Sequence, residues 1–319
     1  MKVFRSLDEF ERGQHAVATI GTFDGLHHGH KIILQRVIEA AKERNGEAVL
    51  ISFHPHPRLV LFPENNPLRL LQSLEEKIKM LEEIGIDKLM LIPFTKEFSR
   101  VSSKSFILDI LVEKIGIEHI IIGYDHHFGK NRTGGIEELA LYGPAYGYSV
   151  EEIPAQRIDD ANVSSTKIRR ALEDGDVKTA NAYLGYRYAF QGTVIHGEKL
   201  GRTLGFPTAN LEIDDPIKLL PGDGIYLVKV NVGKFDAEEF KGFGLLNIGK
   251  KPTVGEFERC YEVYIYDFDR DIYGKTIRLE MIDYLRGEKK FDSLQLLVEA
   301  MKSDKQKGLD LLKIDGLIT

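Results

Sequence analysis

Two histidines bracket a glycine at positions 27 to 30, inside the run Gly21-Thr22-Phe23-Asp24-Gly25-Leu26-His27-His28-Gly29-His30. An apolar stretch, 16–20, precedes this run and an amphipathic one, 31–44, follows it. Strand, glycine-bearing turn and helix in that order is how α/β sheets present backbone amides and a helix N-terminus to an anion. Once the helix has begun, residues three apart share a face, so His27 and His30 aim over its start. Imidazoles there can bind and neutralise phosphate oxygens, while Gly29 lets the backbone approach closely. The chemistry expected is the handling of a nucleotide's phosphates. Any one of these histidines alone reads as a solvated loop residue; the pair around a glycine reverses that preference. A zinc site is the rival reading, because His is a frequent ligand, but neither paired cysteines nor His-Glu-x-x-His spacing accompanies it.

Two further stretches carry comparable chemistry. Val163-Ser164-Ser165-Thr166-Lys167-Ile168-Arg169 sets hydroxyls and open amides at a helix start, with Arg169 one turn on, and reads as a second phosphate clamp. Its plain alternative is an ordinary capped helix with a solvated arginine. The stretch 197–210 combines glycines, cations and neutral oxygen donors between expected strands, where the default is a surface loop.

The elements that must position these groups differ between the two halves of the chain. Short apolar runs at 16–20, 48–53, 88–92, 119–122 and 149–153 alternate with amphipathic stretches starting near 31, 73, 103 and 135. Strand then helix, repeated, predicts an α/β fold: a doubly wound parallel sheet with helices on both faces. Seven of the ten histidines, at 27, 28, 30, 54, 56, 126 and 127, fall just after those strands. Parallel sheets bind ligands beyond the carboxyl ends of their strands, so the three clusters are expected to share one cleft. Capped helices follow, from Ser164-Ser165-Thr166 through Leu172 and from Asp176 to Tyr183. Past Gly185 the texture changes to Val-, Ile-, Tyr- and Phe-rich runs at 188–195, 224–232, 261–268 and 276–285, the pattern of an antiparallel barrel or sandwich, with a closing helix at 293–312. We therefore expect two domains, 1–185 and 186–319.

A chain of 319 residues exceeds the usual single core. With 43% hydrophobic and 29% charged residues it has ordinary globular composition. A net charge of −6 and a pI near 6.0 speak against a nucleic-acid partner. One cysteine, Cys260, excludes an internal disulfide and fits a reducing compartment. No apolar run approaches bilayer length, so the expectation is a cytoplasmic protein without a membrane partner.

With these motifs in place, the first half resembles nucleotidyltransferases of α/β-phosphodiesterase-like fold. Gly-x-Phe-Asp-Gly-x-His-x-Gly-His is similar to their flavin branch, as are Ser52-Phe53-His54-Pro55-His56-Pro57, Gly123-Tyr124-Asp125-His126-His127-Phe128-Gly129 with Arg132 and Gly134, and the Ser-Ser-Thr-x-Ile-Arg block. The second half resembles riboflavin kinases through Gly205-Phe206-Pro207-Thr208-Ala209-Asn210, Gly224-Ile225-Tyr226, Asn247-Ile248-Gly249-x-x-Pro252-Thr253, Glu262, Tyr273-Gly274-Lys275 and Arg286-x-Glu288. Together the resemblances span nearly the whole chain and imply a bifunctional riboflavin kinase and FMN adenylyltransferase, its C-terminal domain a β-barrel with a terminal helix. Thr22 stands where the flavin branch often has Asn, His126-His127 where it usually places Phe and a polar or basic residue, and Tyr264 where a histidine is common among the kinases; Tyr264 is given no role.

The resemblance implies ATP, riboflavin and FMN as substrates, magnesium as cofactor, and a monomer or weak oligomer. It assigns catalysis to His27, His30 and Glu262, and adenylyltransferase ATP contacts to Gly21, Phe23, Asp24, Gly29, Ser165, Thr166 and Arg169. FMN contacts fall to Phe53, His56, Asp125, Phe128 and Arg132. In the kinase, ATP contacts fall to Gly197, Lys199, Gly201, Gly205 and Pro207, flavin binding to Arg286, and magnesium to Thr208 and Asn210. The acceptor in adenylyl transfer is a phosphate monoester with a second pKa near ~6, already ionised, so no general base is required. The kinase acceptor is an alcohol that must lose a proton, the task of Glu262. By its local sequence, Cys-Tyr-Glu-Val-Tyr, Glu262 reads as an exposed strand residue. Two other functions stay open: a metal-dependent hydrolase using the clustered histidines, and a non-catalytic flavin sensor.

Overall fold

The computed structural model describes residues 1–63, 68–124, 126–154, 163–197, 200–234, 237–252 and 257–318. By contacts the chain divides into two compact units, Met1–Ser165 and Thr166–Thr319.

The first unit is built on six strands: β1 (Lys2–Phe4), β2 (Ala16–Ile20), β3 (Ala48–His54), β4 (Lys88–Pro93), β5 (Ile117–Gly123) and β6 (Ser149–Ile153). They form one sheet of order β1-β4-β3-β2-β5-β6, every pair parallel. Five of them are the apolar runs of the sequence. The edge strand β1, three residues long, is too short to show a period. All five residues of β2 are buried, which is why it reads as a continuous apolar run rather than an alternating one.

Helices cover both faces. Helix α1 (His28–Glu43) and, beyond the short α2 (Pro57–Leu61), α3 (Leu74–Ile84) pack on Val17, Leu50 and Leu91. On the other face lie α4, which opens at Ser103–Ser105 and continues in π winding over Phe106–Ile115, and α5 (Ile136–Tyr146), against Ala18, Val49 and Met90. Helix α3 begins at a capping box: the Ser73 hydroxyl accepts from the Glu76 amide and the Glu76 carboxylate from the Ser73 amide. The chain steps from β2 outward through β3 to β4, then returns to lay β5 on the other side of β2. That reversal opens a crevice at the carboxyl ends of β2 and β5, where doubly wound sheets bind ligands.

The second unit contains α6 (Ser165–Glu173) from Thr166 onward, α7 (Val177–Leu184), strands β7 (Ala189–Ile195), β8 (Thr208–Ile213), β9 (Gly224–Lys234), β10 (Ala237–Pro252), β11 (Phe257–Ile265) and β12 (Thr276–Arg286), a single turn α8 (Leu200–Thr203), and the closing α9 (Leu294–Ile314). The strands close into a barrel of order β10-β11-β8-β7-β12-β9, antiparallel throughout. The sequence pattern left a barrel and a sandwich open; the closed order decides for the barrel. Strand β10, the longest, escaped the pattern because Gly242, Gly244 and Gly249 interrupt its apolar residues. Gly244 is required there, since a Cβ would lie 2.3 Å from the Tyr264 carbonyl oxygen of the neighbouring strand.

Helices α6 and α7 are fastened to this barrel. Leu172 and Leu184 are fully buried, and the Gly222 amide donates to the Leu172 carbonyl at 2.9 Å. The Asn181 amide group donates to the Met281 carbonyl at 2.9 Å while its oxygen accepts from the Tyr188 amide at 2.7 Å. Asn181→Ala leaves two main-chain groups without these partners and should destabilise the barrel by about 2 kcal/mol. A urea midpoint for loss of kinase activity equal to wild type would contradict this.

Candidate functional site

The turn leaving β2 has unusual backbone. Phe23 (φ 46), Gly25 (φ 88) and Leu26 (φ 39) all occupy the left-handed region. For Phe and Leu that conformation is strained and persists only when the surroundings over-determine it. They do. The Asp24 carboxylate accepts from the Leu71 amide at 3.0 and 3.2 Å, Gln72 Oε1 from the Gly25 amide at 2.8 Å, and the Thr22 carbonyl from Lys77 Nζ at 2.7 Å. Ser165 Oγ adds a bond to the Asp24 carbonyl at 2.9 Å. Phe23 is buried, its ring 4.9 Å from that of His30. Gly21 makes room for it, since a Cβ there would lie 2.7 Å from the Phe23 ring.

The helix starts three residues earlier than the periodicity indicated. His27 is its N-cap, with Nδ1 accepting from the His30 amide at 3.4 Å, so the pair is one cap and one first-turn residue rather than two residues on a helical face. The two rings stack at 3.7 Å and 16°. His28 points to solvent and Gly29 is buried. His30 Nδ1 is buried without a protein partner. Burial, then the neighbouring His27 and the Lys77 ammonium, hold the His30 imidazole well below the usual histidine range, so it is neutral at pH 7 in the free protein.

The remaining expected residues of this unit fall in different places. Phe53, half-buried at the end of β3, meets Phe94 at 5.8 Å and Phe98 at 6.1 Å. Phe128 is buried against Phe106 at 5.5 Å and forms a bridge to Gly134. His56 caps α2, Nδ1 accepting from the Arg58 amide at 3.2 Å. Arg132 is exposed with φ 58. Asp125 lies outside the described residues, as does Lys199. Thr166 is exposed and Arg169 half-buried on α6. Among the described residues no three His, Cys, Asp or Glu side chains come together to hold a metal ion, so the zinc reading has no ligand set there. Lys77 and Gln72, which fasten the turn, carried no sequence signal beyond being polar residues near a helix start.

Depressed histidines in this unit, His30 and His119 among them, should make it acid-sensitive. Burial holds His119 below its usual range as it does His30, despite the Glu151 carboxylate 3.4 Å from His119 Nε2. The unfolded chain takes these protons near pH 6.5 and the folded chain does not, so the stability they contribute is complete above that pH and lost as pH falls below it. A tenfold lower proton affinity in the fold corresponds to about 1.4 kcal/mol. The urea midpoint of the full chain should fall between pH 7 and 5.5, and H119N should lessen the fall; equal midpoints at the two pH values would contradict this.

The second unit has a pocket of about 290 Å³, near the lower end for small-molecule sites. Phe206, Leu245 and Met301 give it apolar walls, and Thr208, Asn210, Glu262 and Arg286 face it with polar groups. Strand register brings these together: Asn210 pairs with Glu262 across β8 and β11, and Glu262 with Asn247 across β11 and β10. Thr208 and Asn210, expected in a loop, open strand β8. Gly201 sits where a Cβ would be 2.3 Å from the Phe206 carbonyl oxygen, Gly197 where it would meet the Asn210 side chain at 2.2 Å, and Gly205 has φ 83. Pro207 is exposed. Arg286 is held by Asp304 of α9, Nη2 to Oδ2 at 2.7 Å and Nε to Oδ1 at 3.0 Å. Tyr264 also lines the pocket, its hydroxyl accepting from Lys305 Nζ at 3.2 Å. Neither Asp304 nor Met301 was legible as a pocket residue, because both come from a helix some forty residues beyond Glu262.

A phosphate-type turn at a sheet's switch point, followed by a closed barrel whose glycine loop borders a mixed pocket, defines a two-unit nucleotide-dependent transferase. Residues 9–167 match the family model for FAD synthetase and residues 184–312 that for riboflavin kinase. The bifunctional riboflavin kinase/FMN adenylyltransferase of Bacillus subtilis is 36% identical, covering 94% of this chain and 93% of its own. That of Escherichia coli K12 is 33% identical, covering 95% and 96%. A crystal structure from Streptococcus pneumoniae described as a macrolide-efflux protein superposes with TM-score 0.85 at 30% identity over 95% of this chain and 97% of that one. The chain belongs to the bifunctional riboflavin kinase/FMN adenylyltransferase family. Among its described residues no helix is long and apolar enough to cross a membrane.

Proposed function

We propose that this chain makes both flavin cofactors in sequence, phosphorylating riboflavin in the barrel and adenylylating the resulting FMN in the α/β unit, with the functional boundary between domains 1–185 and 186–319. The observation that carries the reading is the difference in acid–base equipment between the sites: stacked histidines at the end of β2 in one, a carboxylate facing a mixed pocket in the other.

In the α/β unit an oxygen of the FMN phosphate attacks the α-phosphorus of ATP and pyrophosphate leaves. His27 and His30 stabilise the charge gathering on the phosphates, with the amides around Gly21, Phe23, Asp24 and Gly29 and with Ser165, Thr166 and Arg169. Phe53, His56, Asp125, Phe128 and Arg132 hold the FMN. Since Phe128 is buried and the Asp24 carboxylate faces inward to Leu71, these two act by shaping and by main-chain groups. In the barrel, Glu262 takes the proton of the ribityl hydroxyl as its oxygen bonds to the γ-phosphorus and ADP leaves. Gly197, Lys199, Gly201, Gly205 and Pro207 form the ATP loop, and Arg286 faces the flavin.

Magnesium suits the donors present: Thr208 and Asn210 offer hard, neutral oxygens on one strand beside Glu262, and the ion's remaining ligands would be phosphates and water. When bound, it supplies charge neutralisation between nucleotide phosphates. We further propose a cytoplasmic monomer or weak oligomer, the single cysteine supporting a reducing compartment.

Incubating the protein with riboflavin, ATP and magnesium should yield FMN and then FAD. Recovery of riboflavin alone would refute the assignment, and flavin binding without turnover would favour a sensor.

A further inference from the structure

The segment opening α3 reaches across to the His-bearing turn with a cation that the assignments above do not use. Lys77, one turn into α3, directs its ammonium at the Thr22 carbonyl, 2.7 Å away. The same segment holds the turn at Asp24 through the Leu71 amide and at Gly25 through Gln72. A neutral donor would satisfy the carbonyl equally well, and placing an ammonium among buried groups carries a desolvation cost. That burial pulls Lys77 below the usual lysine range, with Asp24 opposing. Its neighbour His30 has a buried, unpartnered Nδ1 and a stacked second imidazole. The free site thus collects a cation and two imidazoles at the N-terminus of a helix that His27 caps and whose first turn holds no acidic residue. Fixed positive potential of this kind is what two approaching phosphate groups require, because water is displaced as they meet.

We propose that Lys77 is a positioning residue for adenylyl transfer: it pins the strained turn through Thr22 and sets a fixed positive charge beside His30 where the nucleotide's phosphates arrive. The groups facing His30 are His27 from its own helix cap, Lys77 from α3 and the Phe23 ring, with the Asp24 carboxylate acting on Lys77. Arriving phosphates reverse the local sign and favour the imidazolium, so that His30 takes a proton from solvent and donates it in a hydrogen bond to a phosphate oxygen.

The inference rests on the adenylyltransferase reading of this unit, and the other activity of the same chain serves as its control. K77M removes bond and charge, K77Q the charge, and K77R keeps both. FAD formation from FMN and ATP should fall at least about tenfold in kcat/KM in K77M and K77Q, recover to within about threefold in K77R, and riboflavin phosphorylation should change in none. Histidine-selective labelling of the full chain should show the His30 titration moving to higher pH in K77Q and staying put in K77R. Undiminished FAD formation in K77M, or a loss in K77Q with an unmoved His30 titration, would overturn the inference. Should K77M lose the folded spectrum of the α/β unit, K77Q and K77R decide. A wild-type protein that makes no FAD sinks the underlying reading instead.

Discussion

FAD formation in H30A falls by about 10²- to 10³-fold, the range for losing one preorganised group at a charge-developing centre, while riboflavin phosphorylation is unchanged. His30 is the better choice of the stacked pair for this test. His27 caps α1 through its Nδ1, so truncating it also weakens the helix start by ~1 kcal/mol. His30 has a buried Nδ1 with no protein partner, so its removal breaks no side-chain hydrogen bond at that atom. Separating riboflavin, FMN and FAD after reaction with ATP measures both activities in one sample. If H30A still converts FMN to FAD at the wild-type rate, phosphate stabilisation does not reside in this turn. If both activities vanish from a folded protein, the two-site division is wrong.

E262Q has the reverse phenotype. Riboflavin phosphorylation drops by about 10²- to 10⁴-fold, the usual contribution of a general base, and FAD formation from supplied FMN persists. The isosteric amide keeps the strand pairing with Asn210 and Asn247 and removes the carboxylate's charge together with its capacity to accept a proton. The loss should therefore fall on kcat with little change in the KM for riboflavin. A variant that phosphorylates riboflavin normally would show that the alcohol's proton leaves by another route.

The contrast between the sites follows from their acceptors. A phosphate monoester is ionised near pH 7 and needs only charge stabilisation, the role proposed above for the histidines, the amides and Arg169. An alcohol needs a base, and the barrel has a carboxylate at the pocket.

Most of the framework was legible in the chain. Strands β2 to β5 appear as apolar runs because the inner strands of a parallel sheet are buried on both faces, and Ser73 and Asp176 announce their helices by cap chemistry. Strand β1 has too few residues for a period, and β10 is broken up by glycines that admit a neighbouring backbone. The catalytic candidates were legible as motifs, whereas the groups holding them were not. Asp24 looks like a ligand-binding carboxylate within its motif, yet it accepts from Leu71, a residue that no local pattern connects to it.

The sequence by itself determined the two chemistries, because residue types and spacing are local properties: His-x-Gly-His at a strand end, and an acid among β-forming residues after a glycine loop. Only the tertiary structure decided which imidazole caps α1 and which is left neutral with a bare nitrogen, since that depends on burial and on Lys77 arriving from another helix. The closed barrel likewise brings Arg286 and Asp304 to the pocket that Glu262 faces, because strand register and helix packing join residues that the chain keeps far apart.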